Sequence, residues 1–88
     1  MTVKIEQHSD GQRTTIRLIG QIHEEHLDAL KALMQGNGPR IVLDLDEVTL
    51  VDVDVVRFLS VCEAAGSTIR HGPPSIREWM RREQNRHA

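Results

Sequence analysis

The feature that most constrains the fold is an apolar run that meets acidic residues and then a second apolar run, IVLDLDEVTLVDVDVVRFL at Ile41–Leu59. Ile41–Leu45 shows little alternation, which is typical of a central parallel strand covered on both sides. A helix is predicted over Val53–Ala65, with Asp52 as its N-cap. We therefore expect a buried strand that ends in an acidic turn and leads directly into a helix. The carboxylates at this junction belong to Asp44, Asp46, Glu47, Asp52 and Asp54.

Two segments before this junction alternate polar and apolar residues, as half-buried strands do. Val3–Ile5 and Arg13–Ile19 are separated by Ser, Asp and Gly, residues that favour turns, so the pair predicts a hairpin. Gly20 is expected to end the second strand. A helix is then predicted over His23–Gln35 from its apolar stripe, with a stop at the glycines and proline of residues 36–39.

The remaining elements follow the second helix. Gly66 is expected to end that helix, and Ser67–Arg70 is predicted to form a short strand. Two prolines then break the chain, and Ser75–Glu78 fits a capping box that begins a third helix. The order β-β-α-β-α-β-α predicts an α/β fold: one domain over residues 1–88, with a four-stranded mixed sheet and helices packed on it. The last residues, 85–88, are expected to fray.

Composition narrows the classes of function. No apolar run approaches the ~18 residues that a membrane span needs, and the N-terminal residues lack the apolar centre of a secretory signal. A single cysteine, Cys62, excludes an internal disulfide and a multi-cysteine metal site. The net charge of −2 provides no basic field to attract nucleic acid. We therefore expect a cytoplasmic protein without membrane insertion or nucleic-acid binding.

The residues that could carry chemistry do not form a catalytic or metal-binding pattern. His23 and His26 lie three residues apart, but no third ligand is near them in sequence. The acidic junction has no accompanying glycine-rich phosphate loop, and Cys62 in mid-helix is typical of a small core residue. The sequence therefore predicts no metal, no cofactor and no enzymatic activity.

Several segments, taken together and in order, resemble the STAS family, the fold of anti-sigma-factor antagonists. They are the strand RLIGQI through Gly20, the DLDEVTLVD segment, the helix containing Leu59, and AAGSTIR with Gly66 before the next strand. The resemblance covers nearly the whole chain. It implies a non-catalytic module that docks on other proteins.

The resemblance also shows a departure at the regulatory site. Family members that bind anti-sigma kinases are inactivated by phosphorylation at the start of the second helix, where the loop reads acid-serine-serine-glycine. Here the four positions are Asp52, Val53, Asp54 and Val55, so no hydroxyl can be phosphorylated there. Asp54 occupies the degenerate phosphorylation position. It either acts as a permanent partial mimic of the phosphorylated state or simply suits the second position of a helix.

We expect the partner to bind the exposed side of the second helix and its entry loop, through Asp52, Asp54, Arg57 and Val61. The i, i+3 spacing of Asp54 and Arg57 predicts an ion pair. The resemblance implies an anti-sigma factor or another kinase-like ATPase as the partner. Two alternatives are a subunit that docks on the cytoplasmic ATPase of a lipid or ABC transporter, and a module that binds a nucleotide or small ligand. A four-stranded sheet would leave an exposed edge, which predicts a possible homodimer.

Overall fold

The computed structural model describes residues 3–35 and 40–86. The predicted α/β class, element order and four-stranded mixed sheet are confirmed. A 3-10 turn at Glu24–His26 precedes the first helix, where the sequence predicted one continuous helix from His23. The elements are β1 (Val3–Ser9), β2 (Thr14–Ile22), α1 (Leu27–Gln35), β3 (Ile41–Val51), α2 (Val53–Ala64), β4 (Thr68–Arg70) and α3 (Pro74–Arg86).

The strands lie in the sheet in their order along the chain. β1 pairs with β2 in the predicted antiparallel hairpin, whereas β2, β3 and β4 run parallel. Because right-handed crossovers that advance in one direction place their helices on the same face, one face of the sheet faces a helical layer. All three helices contribute to a single core cluster with the inward residues of β2 and β3. Leu30, Leu59 and Met80 represent the three helices in that cluster.

The third strand is longer than predicted, because the residues expected to form an acidic turn belong to it. β3 continues to Val51, and its pairing with β2 shifts twice, between Arg17 and Ile19 and between Gly20 and Gln21. Each shift places one extra residue in β3, as a β-bulge does. The spacing of inward residues therefore changes from two to three. The buried positions on that face are Ile41, Leu43, Leu45, Val48 and Val51.

Gly20 does not end β2, contrary to the sequence prediction. It has φ +92°, a conformation that glycine adopts without a Cβ clash, and it lies at the second shift in the pairing of β2 with β3. The strand therefore bends at Gly20 and continues to Ile22, which is fully buried. The prediction failed because a glycine in a strand can mark a bulge as well as an end.

The ends of α2 follow the prediction, and the start of α3 does not. Asp52 caps α2, while the backbone N–H groups of Gly66 and Ser67 donate to the carbonyls of Glu63 and Cys62. That pattern, with φ +111° at Gly66, is a Schellman motif. α3 begins at Pro74, so Ser75 lies inside its first turn and is not the predicted N-cap.

Two predictions concern residues at the limits of the described part of the chain. The predicted stop of α1 at 36–39 lies outside them. α3 extends through Arg86, so Asn85 and Arg86, in the segment expected to fray, are helical. None of the helices in the described part of the chain has the length and apolar character needed to cross a membrane.

Replacing Leu59 with alanine should destabilise the fold by about 2–5 kcal/mol, because its side chain is fully buried between α2 and the sheet. Val61→Ala is the matched control on the same helix. Its side chain is 67% exposed, so a change within about 0.5 kcal/mol is expected. Urea unfolding followed by circular dichroism measures both. Equal losses for the two variants would contradict the assigned core.

Candidate functional site

One aspartate joins the beginnings of two helices. Asp52 Oδ1 accepts a hydrogen bond of 3.0 Å from the backbone N–H of Val55, as the N-cap of α2. Asp52 Oδ2 accepts a second one of 2.8 Å from the backbone N–H of Glu24, at the start of the 3-10 turn before α1. The two free helix starts are thereby satisfied by one carboxylate. α1 and α2 consequently begin side by side at the end of β3.

A groove of about 680 Å³ lies between these two helices. It contains both charged and apolar side chains. Three of the four predicted partner-binding residues line it, namely Asp54, Arg57 and Val61. The fourth, Asp52, lies behind its acidic end and holds the helices through the backbone. The other residues that the groove brings together include Glu24, Leu27, Asp28, Lys31 and Phe58.

The acidic end of the groove holds two carboxyl groups close together. A hydrogen bond shared with Asp54, followed by electrostatic repulsion from the same side chain, raises the pKa of Glu24 above its usual value. Among the ion pairs formed by residues 3–35 and 40–86, none includes Glu24 or Asp54. Helix N-termini favour negative charge, which accounts for carboxylates at this place without removing the repulsion between them.

A charged residue that lines the groove, Arg57, is bound to the third helix. Arg57 Nε donates to Glu83 Oε1 at 2.8 Å, so the guanidinium is directed at α3, not into the i, i+3 pair predicted with Asp54. The hydrogen bond that Arg57 donates to Glu83 is the main reason that the pKa of Arg57 is raised, and Asp54 contributes only at longer range. The Glu83 side chain is 6% exposed, and a buried carboxylate is a stronger competitor than an exposed one for a neighbouring cation.

The apolar part of the groove lies on the same exposed side of α2. Val61 is 67% exposed, which is unusual for a valine in a helix that packs on the core. Phe58 is half-buried, and the ammonium group of Lys31 lies 5.9 Å from its ring centroid, within the range of a cation–π contact. The groove therefore offers an accessible apolar surface bordered by charge.

The side chains with possible catalytic or metal-binding roles are engaged elsewhere. No group of three or more His, Cys, Asp or Glu within residues 3–35 and 40–86 is placed to hold a metal ion. His26 Nδ1 accepts from the backbone N–H of His23, which gives this histidine pair a structural contact. Burial raises the pKa of the Cys62 thiol to about 11, so it is protonated at neutral pH. A protonated, buried thiol is a poor nucleophile, which is consistent with a role for Cys62 in the core.

The sequence found part of this site and missed the rest. The helical spacing of Asp54, Arg57 and Val61 was enough to place them on one side of α2. Glu24 and Glu83 were not predicted to participate. Glu24 lies 30 positions before Asp54 in the chain, and Glu83 lies 26 positions after Arg57. Only the packing of α1 and α3 against α2 brings them there.

Comparisons with known proteins do not assign the chain to a family. No protein-family model matches it, and no curated protein matches it at a significant level.

Asp52→Ala should destabilise the protein by about 1–2 kcal/mol, because it removes the acceptor for both Val55 N–H and Glu24 N–H. Asp52→Asn should cost less, since its amide oxygen can still accept one of the two bonds. Asp46→Ala removes an exposed carboxylate from the same acidic segment and is the control. Chemical denaturation gives the three free energies. A loss for Asp52→Ala no larger than that for Asp46→Ala would exclude the double cap.

Asp54→Asn should lower the pKa of Glu24 toward its ordinary value, because the shared hydrogen bond and the repulsion both come from Asp54. In the native protein the raised pKa makes the contribution of Glu24 to stability greatest below its unfolded pKa. That contribution is lost as the pH rises through the folded value. NMR titration of the Glu24 carboxyl carbon measures the shift, with Asp28→Asn as the control. An unchanged Glu24 titration in Asp54→Asn would contradict the carboxyl pair.

Proposed function

We propose that this chain is a non-enzymatic, STAS-like protein-interaction module that docks a protein partner in the groove between α1 and α2. The observation that carries the proposal is the juxtaposition of an exposed apolar residue, Val61, with the close carboxyl pair of Glu24 and Asp54. An enzyme needs positioned reacting groups, whereas a docking surface needs accessible apolar area and charge that a partner can neutralise.

The apolar side of the groove supports a protein as the ligand. Val61 is mostly exposed, and Phe58 and Leu27 are half-buried beside it. Covering such side chains removes apolar surface from water, which stabilises a complex by about 25 cal/mol for each Å² that is buried. A partner side chain that packs between Phe58 and Val61 would therefore act as an anchor.

The acidic side of the groove supports a partner that carries a cation. Glu24 and Asp54 repel each other, and this repulsion is one cause of the raised pKa of Glu24. An arginine or lysine placed between them would relieve the repulsion with two charge-assisted hydrogen bonds. Arg57, held by Glu83, borders this place and would disfavour a cation that approaches from the α3 side. The charges thus favour one orientation of the partner.

The absence of a hydroxyl at Val53 and Asp54 argues against a serine-phosphorylation switch at the start of α2. Asp54 is the second residue of α2, near the positive end of the helix dipole. Its carboxylate is part of the chain, whereas a phosphate would be added and removed. We propose that docking here is set by the presence of the partner and by competition for the groove, without phosphorylation of this loop.

The resemblance to STAS domains suggests the class of partner. Our leading proposal is an anti-sigma factor or another kinase-like ATPase of a signalling pathway, with the ATPase of a transporter as the alternative. Both are classes of protein on which members of the family dock. The identity of the cross-linked partner distinguishes them.

Site-specific photo-cross-linking tests the proposed groove. A photoreactive phenylalanine analogue at position 61 should cross-link one partner protein in native lysate, and mass spectrometry should map the link to a segment that contains an arginine or lysine. The matched control carries the analogue at Ala29, which is exposed on α1 but does not line the groove. With the purified partner, Val61→Glu should weaken binding at least tenfold, or about 1.4 kcal/mol, and Ala29→Glu should not.

Two results would contradict the proposal. One is equal cross-linking from positions 61 and 29, which would mean that contact is not centred on the groove. The other is wild-type affinity for a Val61→Glu protein whose circular dichroism spectrum and unfolding midpoint are unchanged.

A further inference from the structure

The first strand forms a long open edge of the sheet. β1 pairs with β2 through seven consecutive residue pairs, from Val3 with Gly20 to Ser9 with Thr14, without a register shift. On its other side, no strand within residues 3–35 and 40–86 pairs with it, because it is first in the sheet order. A strand at a sheet edge presents alternate backbone N–H and C=O groups that can pair with another strand.

The two edges of the sheet differ in how well they are protected. β4, at the opposite edge, has only three residues and is followed closely by Pro73 and Pro74. Short strands and prolines both prevent further pairing. β1 has neither a proline nor a bulge, and its core-facing positions carry no charge. A further strand can therefore pair with β1, whereas such pairing is blocked at β4.

The side chains of β1 are divided between the two faces of the sheet. Val3 and Ile5 face the helices and pack against the core cluster, but both remain half-exposed at the edge. Lys4 and Glu6 lie on the other face, where their charged groups are 3.3 Å apart. The edge thus carries an apolar row and, behind it, one cation and one anion.

We infer that β1 pairs with β1 of a second copy of this chain, antiparallel and about a two-fold axis at Ile5, to form a continuous eight-stranded sheet. In this register Ile5 faces the partner's Ile5, and Val3 faces the partner's Gln7. On the other face Lys4 lies opposite the partner's Glu6, and Glu6 opposite the partner's Lys4. Opposite charges directly across an antiparallel pair are stabilising.

The charges select this register over its neighbours. A two-fold axis at residue 4 would place Lys4 opposite itself, and an axis at residue 6 would do the same for Glu6, so both registers oppose like charges. Axes between residues would pair side chains that lie on opposite faces of the two sheets. The helical layers would then fall on different sides, and Ile5 would lose its continuous apolar surroundings. Only the axis at Ile5 both keeps the apolar side chains together on one face and places opposite charges across from each other on the other face.

Edge charges normally protect a strand against pairing with other strands. Lys4 and Glu6 provide that protection against most sequences, since a partner strand must present the opposite charges two residues apart in the reverse order. β1 itself meets this requirement. The edge is therefore selective for a second copy of the same chain, an isologous arrangement typical of two-fold dimers.

Charge reversal tests the pairing without disrupting the core. By sedimentation velocity over a wide concentration range, the wild type should show a monomer–dimer equilibrium. Lys4→Glu and Glu6→Lys should each raise the dimer dissociation constant about tenfold or more, because each variant opposes like charges twice. The Lys4→Glu/Glu6→Lys double variant should restore dimerisation, and a mixture of the two single variants should form the heterodimer. Thr15→Glu adds a carboxylate to the same face one strand away and should change little.

Cysteine cross-linking fixes the register independently, in a Cys62→Ala background. Ile5→Cys should form a disulfide with its own copy, whereas Val3→Cys and Gln7→Cys should cross-link only when the two variants are mixed. A monomeric wild type at all concentrations would overturn the inference. So would a charge-swapped double variant no better than the single variants, with thermal unfolding showing that all are folded. Self-linking at residue 3 or 7 in preference to residue 5 would overturn the register.

Discussion

The arrangement of the candidate groove depends on one carboxylate. Asp52 accepts hydrogen bonds from backbone N–H groups in the first turn of α2 and at the start of the 3-10 turn before α1, which are far apart in sequence. This contact fixes the starts of α1 and α2 beside each other at the end of β3. Asp54 and Glu24 then come together as a consequence, since each follows a capped helix start by no more than two residues. The positive ends of both helix dipoles face this place and lower the cost of concentrating negative charge there. The acidic end of the groove is thus produced by the caps themselves.

The third helix stabilises the other wall of the groove. Glu83 is nearly buried and fixes Arg57 by a 2.8 Å hydrogen bond, so a residue of α3 decides where a charged group of α2 points. Ser60 Oγ also donates to the backbone carbonyl of Met80 at 3.4 Å, a second polar contact between the same helices. A surface built from α1 and α2 alone would leave Arg57 free to pair with Asp54 and would lose the separation between acidic and basic ends.

The two proposed surfaces lie on different parts of the fold and can be occupied together. The groove is formed by α1 and α2, whereas the open edge belongs to β1, which lies beyond β2 in the sheet. A dimer joined through β1 would carry two grooves related by a two-fold axis. A partner that is itself dimeric could then be bound at both sites, with higher avidity than one groove provides.

The sequence by itself determined the class of fold, the element order, the N-cap of α2 and the position of Val61 on its exposed side. Those features depend on local patterns, such as alternation in β1 and β2 and an aspartate before an apolar helix. Tertiary structure decided that Gly20 lies within a strand, that β3 continues through the acidic segment, and that Arg57 binds Glu83. The bulges exist because β3 has extra residues along the length over which it pairs with β2. The ion pair between Arg57 and Glu83 exists because α3 packs on α2. Neither requirement is visible in a single segment of the chain, since each arises only when distant segments meet.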